Sequence, residues 1–277
     1  MKSMSSGKNN RMVLSIVMMV AGLMYLFPFF FLITNSFKSY AEILTSFSSF
    51  PKDLNWGNFV KVYEILNYPR VFLNTLILSG GAVVGTVLVS FIAAYAINRL
   101  DNKLSNFIYL LFVFGLIIPF HSIMIPLSRM ITSLGLMNNY LAIIALYIGF
   151  YTPFGIFVFS GFLRSISKEI EEAAKMDGCN LFALLFRILF PLVAPATSTL
   201  AVLFCLWTWN DFLLPMLMID HAEWRTLTLN QYVFIGNVRT EWNLFIASLL
   251  LSIVPVVAIY IAAQRYIVDG LTAGAVK

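Results

Sequence analysis

Residues 171 to 191 read EEAAKMDGCNLFALLFRILFP, and they gather Glu171, Glu172, Lys175, Asp177 and Arg187 in a chain otherwise close to hydrocarbon. Catalysis or metal binding needs clustered titratable groups, and the rest of the chain offers few. The two histidines, His121 and His221, stand far apart in sequence, and Cys179 and Cys205 have no metal-ligand spacing. A phosphate-cradling loop needs G-x-x-x-x-G-K-[ST], yet the only Gly-Lys pair is Gly7-Lys8, with no second glycine before it. No catalytic residue, metal ligand or cofactor is therefore assigned to this chain. Its polar chemistry is that of contact and recognition.

The elements that position this stretch are membrane spans. Of 277 residues, 60% are hydrophobic and 11% charged, against about 25% charged in a soluble domain. Mean hydropathy is +0.86. The net charge of +5 is spread over loops, without the basic run that nucleic-acid binding needs. A span takes about 20 mainly apolar residues, and six runs qualify: 12–34, 72–97, 106–127, 141–163, 192–214 and 244–265. The first is too long for a signal-peptide core and ends without a small-residue cleavage site, so it is expected to be retained. Runs of this length satisfy their backbone in lipid only as helices. The expected fold class is an all-α bundle of six spans (12–265), with prolines 119, 126, 153 and 195 as kink points.

Lysine and arginine set the orientation. With residues 1–11 in the cytoplasm, the inner segments hold eleven: Lys2, Lys8, Arg11, Arg99, Lys103, Arg164, Lys168, Lys175, Arg187, Arg265 and Lys277. The longer outer segments hold seven, which by the positive-inside rule puts both termini inside. The loop 164–191 and the tail 266–277 are then cytoplasmic. Two long outer segments, 35–71 and 215–243, are expected to dock partners. In the first, Trp56, Phe59, Val60, Tyr63 and Leu66 have helical spacing and predict a helix along the outer membrane surface.

Within the inner loop, Ser167 is placed to cap a helix that Gly178 stops, and Asn180 to start a second that runs toward Pro191. At about 100° per residue, Ile170, Ala173, Ala174 and Met176 share one side and Glu171, Glu172 and Lys175 the other, with Glu171 and Lys175 at i,i+4. So short a helix is marginal alone. Its alanine face buries little in lipid, and anionic headgroups repel its acidic face. A protein partner with basic groups suits it better.

The pattern E-A-A, three residues, G, nine residues, I, one residue, L-P resembles the EAA loop of bacterial ABC-importer permeases, with Glu172, Ala173, Ala174, Gly178, Ile188 and Pro191 in register and Phe190 where leucine is usual. The stretches AYAINR (94–99), WNDFLLP (209–215) and QRYIVDGLTAGAVK are similar to the carbohydrate branch, the maltose-type smaller permease, and more closely to raffinose or multiple-sugar subunits. The resemblance spans essentially the whole chain. It implies a multi-pass permease of the bacterial plasma membrane, set in lipid and carrying a neutral sugar. Its implied partners are a second permease in a heterodimer, two cytoplasmic ATPase subunits that bind ATP and magnesium, and an extracellular sugar-binding protein. It implies that Glu172, Ala173, Ala174, Asp177, Gly178, Ile188 and Pro191 form the ATPase-coupling segment, and that the tail with Gly270, Gly274 and Lys277 touches the ATPases too.

The expected substrate path follows from residue types, raised by that resemblance. Span interiors hold no Asp, Glu, Lys or Arg, which argues against a proton relay and a charged substrate. In span five, Trp209 lies ~25 Å along a helix from residue 192, where an aromatic ring suits the C–H face of a sugar and Asn210 and Asp211 suit its hydroxyls. Trp207 is assigned instead to the interfacial belt. Tyr147, Tyr151 and Thr152 are polar enough to line the path in span four.

Overall fold

A computed structural model describes the backbone of residues 3–100, 102–236 and 240–275, and side chains from Met12 to Ile261 and at Gln264 within that set. The described residues are mostly helical, with no strand beyond an isolated bridge between Ile235 and Thr240. They form two compact units, residues 1–68 with 231–254, and residues 69–230 with 255–277.

In the first unit, α1 (Ser3–Ser36) leaves most of its apolar stretch uncovered, with Phe30 and Phe31 packed against Phe50 and Phe47. The segment after α1 is held by polar groups. Lys38 is fully buried, and its Nζ donates to the carbonyls of Ser46 (2.8 Å) and Phe47 (2.9 Å) beyond α2 (Tyr40–Thr45). A buried ammonium needs such acceptors. Burial lowers the Lys38 pKa, and the Glu42 charge opposes that shift. The Asn58 amide, in α3 (Gly57–Leu66), donates to the carbonyls of Ser36 and Lys38 at 2.9 and 2.8 Å. Asn58, Val62 and Leu66 turn inward, while Trp56, Val60 and Tyr63 are exposed, because the amide is needed where α1 ends.

The second unit holds most of α4 (Tyr68–Leu100), then α5 (Lys103–Gly115), α6 (Phe120–Ser133), α7 (Tyr140–Ser165) and α8 (Lys168–Met176). The chain continues through α9 (Leu181–Ala183), a π-helical segment (Leu184–Leu189) and α10 (Phe190–Leu192) into α11 (Ala194–Asn210), α12 (Leu213–Met218) and α13 (Leu227–Asn230). Phe91, Ile156, Phe159, Leu163, Leu189 and Phe204 are fully buried at its core. α4 and α7 approach closely where glycine replaces a side chain. A Cβ on Gly81 would lie 2.6 Å from Ile144 Cδ1, and one on Gly155 would overlap Ser90.

Among the described residues, four helices are long and apolar enough to cross a membrane: Met12–Ser36, Tyr68–Leu100, Tyr140–Ser165 and Trp242–Ile261 of α14 (Trp242–Ala275). Two bent pairs raise the number to six where each pair is counted as one span. The expected run 106–127, with Pro119 as a kink point, is α5 and α6, bent by 97°. Pro119 sits extended at the break (ψ 135°) and cannot donate an N–H into the preceding turn. A second bend of 80° separates Leu181–Leu192 from Ala194–Asn210, between Pro191 and Pro195. Pro126 and Pro153 stay inside their helices. Most of the expected tail 266–277 continues the helix, since α14 runs on to Ala275. Gly270 and Gly274 belong to that helix, and Lys277 lies outside the described residues.

Candidate functional site

Two polar places stand out in the second unit, at opposite ends of α7 and α11. The first is α8. The Ser167 hydroxyl accepts from the Glu169 N–H (3.3 Å), and the Asn180 side chain accepts from the Ala183 N–H (2.8 Å). Gly178 closes α8 with φ +79°, Cys179 N donating to Ala174 O and Gly178 N to Lys175 O, both at 3.0 Å. This is a Schellman arrangement, which satisfies carbonyls left open at the helix end and favours glycine at the left-handed position. The π-helical turn follows directly, and such turns often mark functional places.

Which face of α8 is buried differs from the expected one. Glu171 is turned into the bundle and pairs with Arg99, instead of Lys175; their side chains are only 5% and 15% exposed. The Arg99 Nε donates to Glu171 Oε1 at 2.6 Å, and the Tyr95 hydroxyl to Oε2 at 3.3 Å. Arg99 also reaches the Leu163 carbonyl on α7 (3.4 Å). Removing one partner of such a buried pair costs about 3–5 kcal/mol. Ala174 is likewise buried, packed into the core with Leu184 and Leu185, so it is not free for a partner. Glu172, Ala173, Lys175, Asp177 and Gly178 are exposed, and Met176 is 87% exposed. Ile188 packs partly against the core, and Pro191 is exposed at the bend. The free face of α8 is thus a small apolar patch, Ile170, Ala173 and Met176, edged by Glu172.

The second place is a cavity of about 760 Å³ among the α5–α6 hinge, α7 and the ends of α11 and α12. Tyr147, Tyr151, Phe150, Phe154 and Trp207 give it an aromatic wall, and His121, Asn210 and Asp211 give it polar groups. The rings are ordered: Tyr151 lies parallel to Phe204 (5.5 Å between centroids, 5°), with Tyr147 stacked beyond it at 5.7 Å and Trp207 tilted at 5.3 Å. The Tyr147 hydroxyl donates to Asp211 Oδ2 (2.9 Å), and Leu213 N to Oδ1 (2.9 Å), so the carboxylate is fixed where α11 ends. The arrangement suits a ligand with apolar faces and hydroxyl edges.

Of the expected path residues, Tyr147, Tyr151, Asn210 and Asp211 line this cavity, and Trp209 and Thr152 do not. Trp209 is 2% exposed, packed edge-on against Phe72, with its carbonyl accepting from Thr228. Thr152 is buried, its hydroxyl without a partner among the described residues. Trp207, assigned to the belt, is the indole on the cavity. The sequence signal was present, since residues two apart on a helix point ~200° apart, so only one of the two tryptophans can face a given space.

Among curated proteins, the chain is 37% identical over 265 residues to the "Probable starch degradation products transport system permease protein AmyC" of Thermoanaerobacterium thermosulfurigenes, covering 96% of each. It is 31% identical over 266 residues to the "Melibiose/raffinose/stachyose import permease protein MelC" of Bacillus subtilis (strain 168), again 96% of each. Among solved structures, a bacterial ABC transporter involved in import of the acidic polysaccharide alginate matches with a TM-score of 0.81 at 22% identity, over 94% of this chain and 97% of that one. That likeness gives the fold alone, an all-α arrangement shared over nearly the whole chain. The family model for the inner membrane component of binding-protein-dependent transport systems matches residues 85–272, a stretch that takes in both α8 and the cavity. By these matches the chain belongs to that family, as a multi-pass membrane permease component of an importer.

Proposed function

We propose that this chain forms half of the translocation path of an ATP-driven importer of neutral oligosaccharides, with α8 as its contact to a separate ATPase. The observation that carries the reading is the free face of α8. A nine-residue helix is capped at both ends, yet it leaves Met176, Ala173 and Glu172 uncovered. Exposed apolar groups on a helix too short to stand alone call for a partner. An acidic rim suits a basic cleft. ATP and magnesium belong to that partner, since this chain has no phosphate loop. The lysine and arginine distribution supports a cytoplasmic α8 and cytoplasmic termini.

Relatives named for starch degradation products and for melibiose, raffinose and stachyose support the substrate class. The cavity agrees with it, offering rings for sugar faces and Asn210 and Asp211 for hydroxyls. Asp211 would repel a uronate, which favours neutral sugars. A second permease closes the other side of the path, and an extracellular sugar-binding protein delivers the substrate. Gly270, Gly274 and Lys277 approach the ATPases as a further contact.

The test is co-purification on a tag carried by this chain, followed by uptake in proteoliposomes. We expect an ATPase and a second permease to be recovered, and uptake to need both ATP and the binding protein. Uptake of sugar by this chain alone would overturn the reading.

A further inference from the structure

We propose that the Arg99–Glu171 pair is the joint through which movement of α8 is passed to α4 and α7, a positioning role separate from docking. This rests on reading α8 as the ATPase contact. Two neighbouring glutamates then divide the work: Glu172 faces outward, and Glu171 faces its own bundle.

Two buried residues, Glu171 and Ala174, hold α8 in place. The alanine offers little grip, so the glutamate carries most of the attachment across the fold. Both of its donors lie one turn apart at the end of α4, Tyr95 and Arg99, and together they engage both carboxylate oxygens. The same end of α4 is tied to α7. Arg99 reaches the Leu163 carbonyl, Asn98 donates to Ser160 Oγ (2.9 Å), and Arg164 Nε donates to Asn98 Oδ1 (3.0 Å). A displacement of α8 therefore pulls the ends of two long helices together. On α7 the distance from Arg164 to Tyr147, on the cavity wall, is ~25 Å of continuous helix. A salt bridge with fixed geometry transmits a pull or a rotation that a lone alanine contact would let slip.

The readout is sugar moved per ATP hydrolysed. It does not change when a variant merely lowers the amount of folded complex. The full complex is reconstituted with its binding protein and tested on raffinose, stachyose and malto-oligosaccharides, using Glu171→Gln, Arg99→Gln and the double variant. We expect each single variant to keep the co-purified ATPase and its ATP hydrolysis. We expect sugar per ATP to fall about 5- to 150-fold, the range of a typical coupling free energy. The double variant should be no worse than the poorer single one, because both break one joint. Wild-type sugar per ATP in Glu171→Gln would overturn the proposal, as would losses that multiply in the double variant. Loss of the ATPase from the variants alone would also overturn it, making Glu171 a docking residue. No ATPase on the wild-type chain would instead sink the functional reading beneath it.

Discussion

The α8 loop and the aromatic cavity, both in the second unit, are built in opposite ways. The loop is made from contiguous sequence, with a serine cap, nine helical residues, a left-handed glycine, an asparagine cap and a proline-flanked bend. The cavity draws on three separate segments, around residues 115–123, 147–154 and 206–214. A place built from neighbours can change by single substitutions and keep its shape. A place built from distant helices depends on how those helices cross, here α5, α6, α7 and α11. The loop is thus a module carried by the fold, whereas the cavity is a consequence of the fold.

Reversing the outward charge gives the sharpest break between the two. Glu172→Lys should abolish uptake while insertion in the membrane stays normal, as checked by transport and by the yield of membrane-embedded protein. Normal uptake with normal ATPase association would remove the loop from the mechanism. Next in size, Gly178→Val forces a β-branched residue into φ +79°, at about 1–3 kcal/mol. It should lower kcat for uptake and leave KM unchanged, because the cavity does not feel it.

The cavity should answer in the other constant. Trp207→Ala removes the ring contacts with Tyr151, Phe154 and Phe204, each on the order of 1 kcal/mol. It should raise KM several-fold with ATPase association intact. Trp209→Phe keeps the buried packing and loses only an indole N–H that has no partner among the described residues, so KM should hold. A rise for Trp209→Phe without one for Trp207→Ala would reverse the assignment of the two indoles. The smallest effect belongs to Ser167→Ala, which removes one cap hydrogen bond worth about 1 kcal/mol, seen as a modest loss of kcat.

Much of the loop was legible because its determinants are local. Ser167, Gly178 and Asn180 take the roles that their side chains and backbone freedom dictate. The helix face was not legible. Angular spacing grouped Glu171 with Lys175, and only the proximity of Arg99, 72 positions away in the chain, decided that Glu171 belongs inside. Arg99 was visible as the end of AYAINR, but no local rule pairs it with a glutamate in another loop. The same range decides the inward side of α3, where Asn58 donates to carbonyls at the end of α1, 22 and 20 positions away.

Composition and neighbours along the chain were enough to dictate apolar runs long enough to cross a membrane, the caps and stops of short helices, and the lack of a phosphate loop. Pro119 marked a weak point, yet whether it would kink a span or split it was settled by packing, as Pro126 and Pro153 remain within helices. Three-dimensional packing alone chose which glutamate is buried, which tryptophan meets the cavity, and where Tyr147 and Asp211 come together at 2.9 Å. The physical reason is range. Backbone hydrogen bonds and hydrophobic content act within a few residues, while a side chain's partner across the bundle is chosen by how whole helices pack.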